Sequence, residues 1–181
     1  GDVAGVGEDT ILGGVNQLRG SSFDDVLIGN DGPLVESFRG QGGDDFIDGG
    51  GGESDRVDYL NSPDSVFVDL STGVAQDGFG GTDTLVNIES VRGSDFGNDT
   101  LIGDAGDNIL DGRAGDDRLI GGDGTDTAKF QGNLSDYEIS ENSDGTITVT
   151  DTVVGRDGTD NLSIVETLQF SDGSVNAAEQ A

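Results

Sequence analysis

Residues 94–129 repeat a nine-residue frame. The segments "SDFGNDTLI" (94–102), "GDAGDNILD" (103–111), "GRAGDDRLI" (112–120) and "GGDGTDTAK" (121–129) place Gly97, Gly106, Gly115 and Gly124 at the fourth position. The sixth position holds Asp99, Asn108, Asp117 and Asp126, and the eighth Leu101, Leu110, Leu119 and Ala128. Glycine admits the left-handed and extended dihedrals of a tight turn. Such a turn leaves carbonyl oxygens unpaired and fixes one carboxylate beside them. That donor set suits a hard cation. Ca²⁺ accepts roughly 6–8 oxygens in a flexible shell, whereas Mg²⁺ demands a stricter octahedron and more water. Calcium is the expected ion.

Looser copies extend the frame. "AGVGEDTIL" (4–12), "GSSFDDVLI" (20–28) and "GQGGDDFID" (40–48) put Asp9, Asp25 and Asp45 in the acidic column. "GFGGTDTLV" (78–86) and "GRDGTDNLS" (155–163) add Asp83 and Asp160, and "GGGGESDRVD" (49–58) adds Asp55 across one inserted residue. The candidate carbonyl donors are Gly103, Ala105 and Gly106 in one turn, Gly112, Ala114 and Gly115 in the next, and Gly121, Asp123 and Gly124 in the third. Weaker sites are expected where Asn108 replaces an acid and where Phe23 replaces a turn glycine. In "GNDGPLVES" (29–37) the acidic column falls on Leu34 and is lost.

These turns need elements to hold them. Three residues such as "RLI" are short for an ordinary strand but make one rung of a solenoid, with the middle residue pointing in and its neighbours out. A chain running out along one rung and back along the next stacks alternate turns, which sets Asp99 near Asp117 and Asn108 near Asp126. Each ion is then held from two turns. Elsewhere "SVFVDL" (65–70) reads as an ordinary strand after Pro63. "SDYEISENSDGTITVTDTVV" (135–154) reads as a hairpin, with Tyr137 and Ile139 before a turn at Asn142–Gly145 and Ile147 and Val149 after it. These strands are expected to cap or flank the roll. A longer echo links residues 81–106, 11–32 and 158–173 around Glu89 and Glu166, and is read as one supersecondary unit used again. Arg19, Arg39 and Arg92 each precede a turn glycine and are expected to pair with local acids. The organisation expected is a first roll block at 1–56, a strand insertion and connecting unit at 57–92, a second roll block at 93–129, and a hairpin and capping unit at 130–181.

Composition excludes several function classes. The 181 residues carry 37 acids, 29 of them Asp, against 8 Lys plus Arg, for a net charge of −29. Low hydrophobicity with such a charge opposes compaction and repels nucleic acid. The chain has no Cys and no His, so disulfides, Cys/His zinc sites and His-dependent nucleophilic catalysis are out. No apolar run spans a bilayer. "GDVAGVGEDT" lacks the basic and apolar regions of a cleavable secretory signal, and the absence of Met reads as a piece of a longer protein.

With these residues in place, the chain resembles the RTX (hemolysin-type calcium-binding) repeat region of secreted bacterial proteins, whose nonapeptide G-G-x-G-x-D-x-U-x is met almost residue for residue by "GRAGDDRLI" and "GGDGTDTAK". The resemblance implies an all-β fold, a parallel β-roll in two blocks with flanking antiparallel strands and hairpins, with several Ca²⁺ ions between turns. It also implies export by the type I secretion machinery of a Gram-negative bacterium, and a secreted or cell-surface location. The function expected is a non-enzymatic, calcium-binding structural module of a larger adhesin or exoenzyme. The alternatives are a carbohydrate- or surface-binding adhesin module, and a domain of a glycan-active enzyme. The seventh column, Thr100, Ile109, Arg118, Thr127, forms no ladder for ice.

Overall fold

The computed structural model describes residues 7–10, 16–52 and 54–180. Within it the chain winds between two sheets. Strands β1 (Gly7–Thr10), β2 (Gln17–Arg19), β3 (Asp25–Ile28), β4 (Ser37–Arg39), β5 (Phe46–Asp48) and β6 (Arg56–Asp58) alternate from one sheet to the other. β7 (Phe67–Asp69), β8 (Val74–Gln76) and β9 (Thr82–Val86) remain in the first sheet as an antiparallel meander. Alternation resumes through β10 (Ser90–Arg92), β11 (Thr100–Ile102), β12 (Ile109–Asp111), β13 (Arg118–Ile120) and β14 (Thr127–Lys129). β15 (Tyr137–Glu141), β16 (Ile147–Asp151) and β17 (Thr159–Ser163) close the first sheet, and β18 (Thr167–Phe170) with β19 (Gly173–Asn176) closes the second.

The fold is an all-β roll. Its two sheets run as β1-β3-β5-β9-β8-β7-β11-β13-β17-β16-β15 and β19-β18-β14-β12-β10-β6-β4-β2. The strands paired across successive rungs are parallel, with Leu101 opposite Leu119 and Leu110 opposite Ala128, so the nonapeptide frame sets the register. "SVFVDL" supplies β7, which lies inside the first sheet between β8 and β11. The meander thus joins the two groups of repeats into a single stack, while the second sheet runs past it unbroken from β6 to β10. The hairpin read at 137–149 forms as β15–β16, with Ile139 opposite Val149, and the turn closes through the Gly145 N–H donating to the Asn142 carbonyl.

The core is thin. Each rung gives one inward side chain: Leu27, Ile47 and Leu85, then Val68, Leu101, Leu119 and Leu162 on the first sheet. Phe38, Val57, Val91, Leu110, Ala128 and Leu168 face them from the second. Full burial of such a side chain is worth about 1.5–3 kcal/mol, modest support for so charged a chain. At one end Phe130, Tyr137 and Phe170 pack ring against ring at 5.0–5.4 Å. The Tyr137 hydroxyl accepts the Gly132 N–H and donates to Asp157.

Candidate metal centre: two edges of stacked turns

The turns leading into the two sheets form two edges of the roll. On the first edge the acidic column is Asp25, Asp45, Asp83, Asp99, Asp117 and Asp160. From Asp45 onward each carboxylate accepts a backbone N–H from an earlier turn: Asp25 N–H donates to Asp45 Oδ1 (2.8 Å), Asp45 N–H to Asp83 Oδ1 (3.1 Å), Asp99 N–H to Asp117 Oδ1 (2.8 Å) and Asp117 N–H to Asp160 Oδ1 (2.8 Å). The meander interrupts this ladder, and Val66 N–H serves Asp99 instead. On the second edge Glu36 N–H donates to Asp55 Oδ1 (2.9 Å) and Asn108 N–H to Asp126 Oδ1 (2.8 Å). The expected neighbours, Asp99 with Asp117 and Asn108 with Asp126, are therefore stacked.

Two placements differ from the sequence frame. The register of β1 sets Asp9 opposite Leu27 and Gly7 opposite Asp25, so Asp9 stands two residues off the acidic column; its side chain lies outside the described residues. In the turn of residues 29–36, the column is not lost. The loop is longer, and Glu36, buried, takes the acidic place by accepting Asn30 N–H.

The second carboxylate oxygens divide the turns into two kinds. Ser21 N–H closes onto Asp25 Oδ2, Ser94 N–H onto Asp99 Oδ2 (2.7 Å) and Asp104 N–H onto the Asn108 side-chain oxygen (2.7 Å). At Asp83 the buried Tyr59 hydroxyl does the same work, donating to Oδ2 at 2.9 Å. Asp45 Oδ2, Asp117 Oδ2 and Asp126 Oδ2 are buried with no partner at all. The cause is backbone conformation. In those three turns the second residue, Gln41, Arg113 or Gly122, has φ of +79°, +77° or +115°, and its N–H no longer donates to the carboxylate.

Burial without a partner is costly for a charge. It pushes Asp45 up to about 6 and Asp117 up to about 7, and raises Asp126. Burial also moves Asp83 to about 7, Asp99 to about 6 and Asp160 to about 9, and raises Asp55. The turns are built without room for anything but oxygen: a Cβ on Gly112 would overlap Asp117 Oδ2, and one on Gly121 would overlap Asp126 Oδ2. Carbonyls of neighbouring turns crowd the other turn glycines, with Gly121 O against Gly103, Gly106 O against Gly124 and Gly115 O against Gly158, and Ile164 O shares the space beside Asp126 Oδ2. Ala105 and Asp123 stand at the exposed crests, and Ala114 is half-buried. Among the described residues no three carboxylates converge, so a bound cation draws on carbonyls for most of its shell. Orphaned carboxylate oxygens and backbone carbonyls along the same edges fit Ca²⁺ and leave nothing soft for zinc or copper.

Sequence reasoning missed Glu36 and Asp77, and it read Glu89 and Glu166 as parts of a reused structural unit, whereas with Glu36 they occupy the acidic column of the second edge. Asp77 is buried in the meander with Oδ1 accepting Phe79, Gly80 and Gly81 N–H groups and Oδ2 unpartnered. An outer ladder was missed too: the fifth-position side chains Asp24, Asp44, Asn98, Asp107 and Asp116 each accept an N–H from the next turn at 2.8–3.0 Å. Of the arginines expected to pair with local acids, Arg39 and Arg92 do so and Arg19 does not. Arg39 and Arg92 share Asp58 (2.8 and 3.4 Å), Arg92 reaches Asp111 (3.4 Å) and Arg19 bonds Gln41. These make a seam across the second sheet.

A model of the RTX calcium-binding nonapeptide repeat matches the chain in four copies, over residues 12–32, 36–53 and 94–128. The chain carries RTX calcium-binding repeats. No curated protein matches it. Among the described residues no helix is long and apolar enough to cross a membrane.

Proposed function

We propose that this RTX repeat chain is a calcium-binding structural module, with no catalysis of its own, of a larger adhesin or exoenzyme. It leaves a Gram-negative bacterium through type I secretion machinery and folds on calcium at the cell surface or beyond. The observation that carries the reading is the set of buried, unpartnered oxygens on Asp45, Asp117 and Asp126. A net charge of −29 and a one-residue-deep core leave the ion-free chain short of folding free energy. A bound cation removes carboxylate repulsion and ties two turns together, so binding free energy becomes folding free energy. Extracellular calcium modules bind at about 10⁻⁴–10⁻³ M, above cytosolic calcium and near the level outside cells. The chain then stays extended during export and compacts on arrival. Circular dichroism and small-angle scattering test this: an expanded chain in chelator and a compact β-rich particle at about millimolar calcium are expected. A compact β-rich particle in chelator overturns it.

A further inference from the structure

On the second edge, two of the turns are not glycine-rich loops at all. Between β9 and β10 the chain passes through Asn87, Ile88 and Glu89, and between β17 and β18 through Ile164, Val165 and Glu166. Both lie outside the matched repeats. The two short turns fold alike. The first residue has positive φ, +51° at Asn87 and +54° at Ile164. The second is buried against the core. The third directs its carboxylate back one rung, where Glu89 Oε2 accepts Asp55 N–H (2.9 Å) and Glu166 Oε2 accepts Asp126 N–H (2.8 Å).

Positive φ sends the first carbonyl of each turn to a set place. A Cβ on Gly121 would overlap both Ile164 O and Asp126 Oδ2, and one on Gly49 would overlap Asn87 O and meet Asp55 Oδ2 at 3.1 Å. In the nonapeptide stack the same position is filled in the same way, with Gly121 O and the Asn108 oxygen crowding Gly103. The short turns therefore reproduce the donor pattern with different residues. An independent observation points to a ligand: Asp126 is fully buried and its Oδ2, which shares this space with Ile164 O, has no partner. The backbone adds to it. Ile164 is β-branched, a residue type that rarely adopts positive φ, and its side chain is 63% exposed. Packing does not hold it there, and strain of this kind persists at sites where a carbonyl must be aimed.

We propose that the roll carries a further Ca²⁺ site completed from outside the nonapeptides, formed by Asp126, the Ile164 carbonyl and Glu166. The inference rests on the calcium reading above. The Asn87 turn repeats the backbone but meets no orphaned oxygen, because Asp55 Oδ2 is not among the buried oxygens left without a partner. The Asp126–Glu166 site holds two carboxylates, where the neighbouring Asn108–Asp126 stack holds one, and calcium affinity rises with ligand charge. It fills before that neighbour.

The test is calcium counting on the full chain, by equilibrium dialysis and native mass spectrometry, for the parent and Glu166→Gln. Glutamine keeps a carbonyl oxygen for the Asp126 N–H and removes the charge. Glu166→Gln is expected to bind one ion fewer than the parent. A parent that binds no calcium overturns the calcium reading itself. A parent that binds calcium beside a Glu166→Gln variant with the same count and midpoints overturns only this site. Should Glu166→Gln fail to fold in saturating calcium, Glu166→Asp replaces it. That variant keeps the charge but shortens its reach, and one site at least tenfold weaker is expected; an unchanged isotherm overturns the assignment.

Discussion

Asp117→Asn and Asp99→Asn remove the same charge from adjacent rungs of one column, and their effects on calcium-dependent stability should differ in kind. Asp117 spends Oδ1 on the Asp99 N–H and leaves Oδ2 buried and unpartnered. Asparagine keeps the first bond and deletes the free oxygen. At Asp99 both oxygens are engaged, Oδ1 by Val66 N–H (2.8 Å) and Oδ2 by Ser94 N–H (2.7 Å), so asparagine turns an amide donor toward another donor. For a site with Kd of about 10⁻⁴ M in roughly 10 mM calcium, the linked stabilisation is about 2.7 kcal/mol. Asp117→Asn should forfeit that amount, offset in part by relief of a buried charge whose pKa is pushed up to about 7. Asp99→Asn should cost about 1–3 kcal/mol for an unsatisfied buried amide, at every calcium concentration. Urea unfolding across a calcium series separates the two, because the slope of stability against ln[Ca²⁺] counts ions taken up on folding. Asp117→Asn lowers that slope by one ion, and Asp99→Asn shifts the line without changing its slope. Equal slopes for both variants and the parent refute the idea that an orphaned oxygen marks a bound ion.

Three more outcomes are expected. In chelator, with an osmolyte added to fold the chain, stability should rise as pH falls from about 7 to 4: Asp45, Asp83 and Asp117 have folded-state values raised to about 6, 7 and 7, so the native state binds the extra protons and the gain is lost as pH rises through those values. In calcium the dependence should reverse, since the ion needs the ionised carboxylates, and melting temperatures across pH in the two buffers show whether the signs are opposite. Leu119→Ala, at a fully buried rung position, should cost about 2–5 kcal/mol in saturating calcium, read from urea midpoints; a loss under 1 kcal/mol would mean the roll is not held by its core. Ile164→Asn, which installs the residue found at position 87, should relieve left-handed strain and stabilise by about 1 kcal/mol without changing the number of ions bound, measured by thermal melts beside ion counting.

Where the repeat keeps its length, the sequence was readable. Nine residues per half-turn fix the pairing of Thr100 with Arg118 and of Ile109 with Thr127, and with it the stacking of Asp99 on Asp117. Readability failed where the length changes. The acid of residues 29–36 sits two places late because its loop is longer, which hides Glu36 behind Leu34. The longer echo picks out Glu89 and Glu166, but turns of three residues hide their place in the acidic column, where longer side chains make up reach that the short backbone lacks. The β8 strand, Val74–Gln76, is too short and too plain to announce an antiparallel meander. The split between satisfied and orphaned carboxylates turns on φ at Gln41 and Arg113, and neither residue type signals a left-handed backbone.

The break that the meander makes in the first-edge ladder bears on how the roll would carry force. Strands here lie across the long axis, and their hydrogen bonds run along it, each rung about 4.8 Å from the next and touching only its neighbours. A pull applied through the two ends therefore loads the rungs one after another, as in a zipper, and no rung shares its burden with a distant one. Between Asp83 and Asp99 the carboxylate seam of one edge is missing, so there the first sheet carries the tension through the backbone pairs of β9, β8, β7 and β11 without that seam, beside β6 and β10 and the arginine seam of Arg39, Asp58 and Arg92. Tethered by its termini, the roll parts first at that joint, and the calcium concentration around it sets how firmly the halves on either side hold.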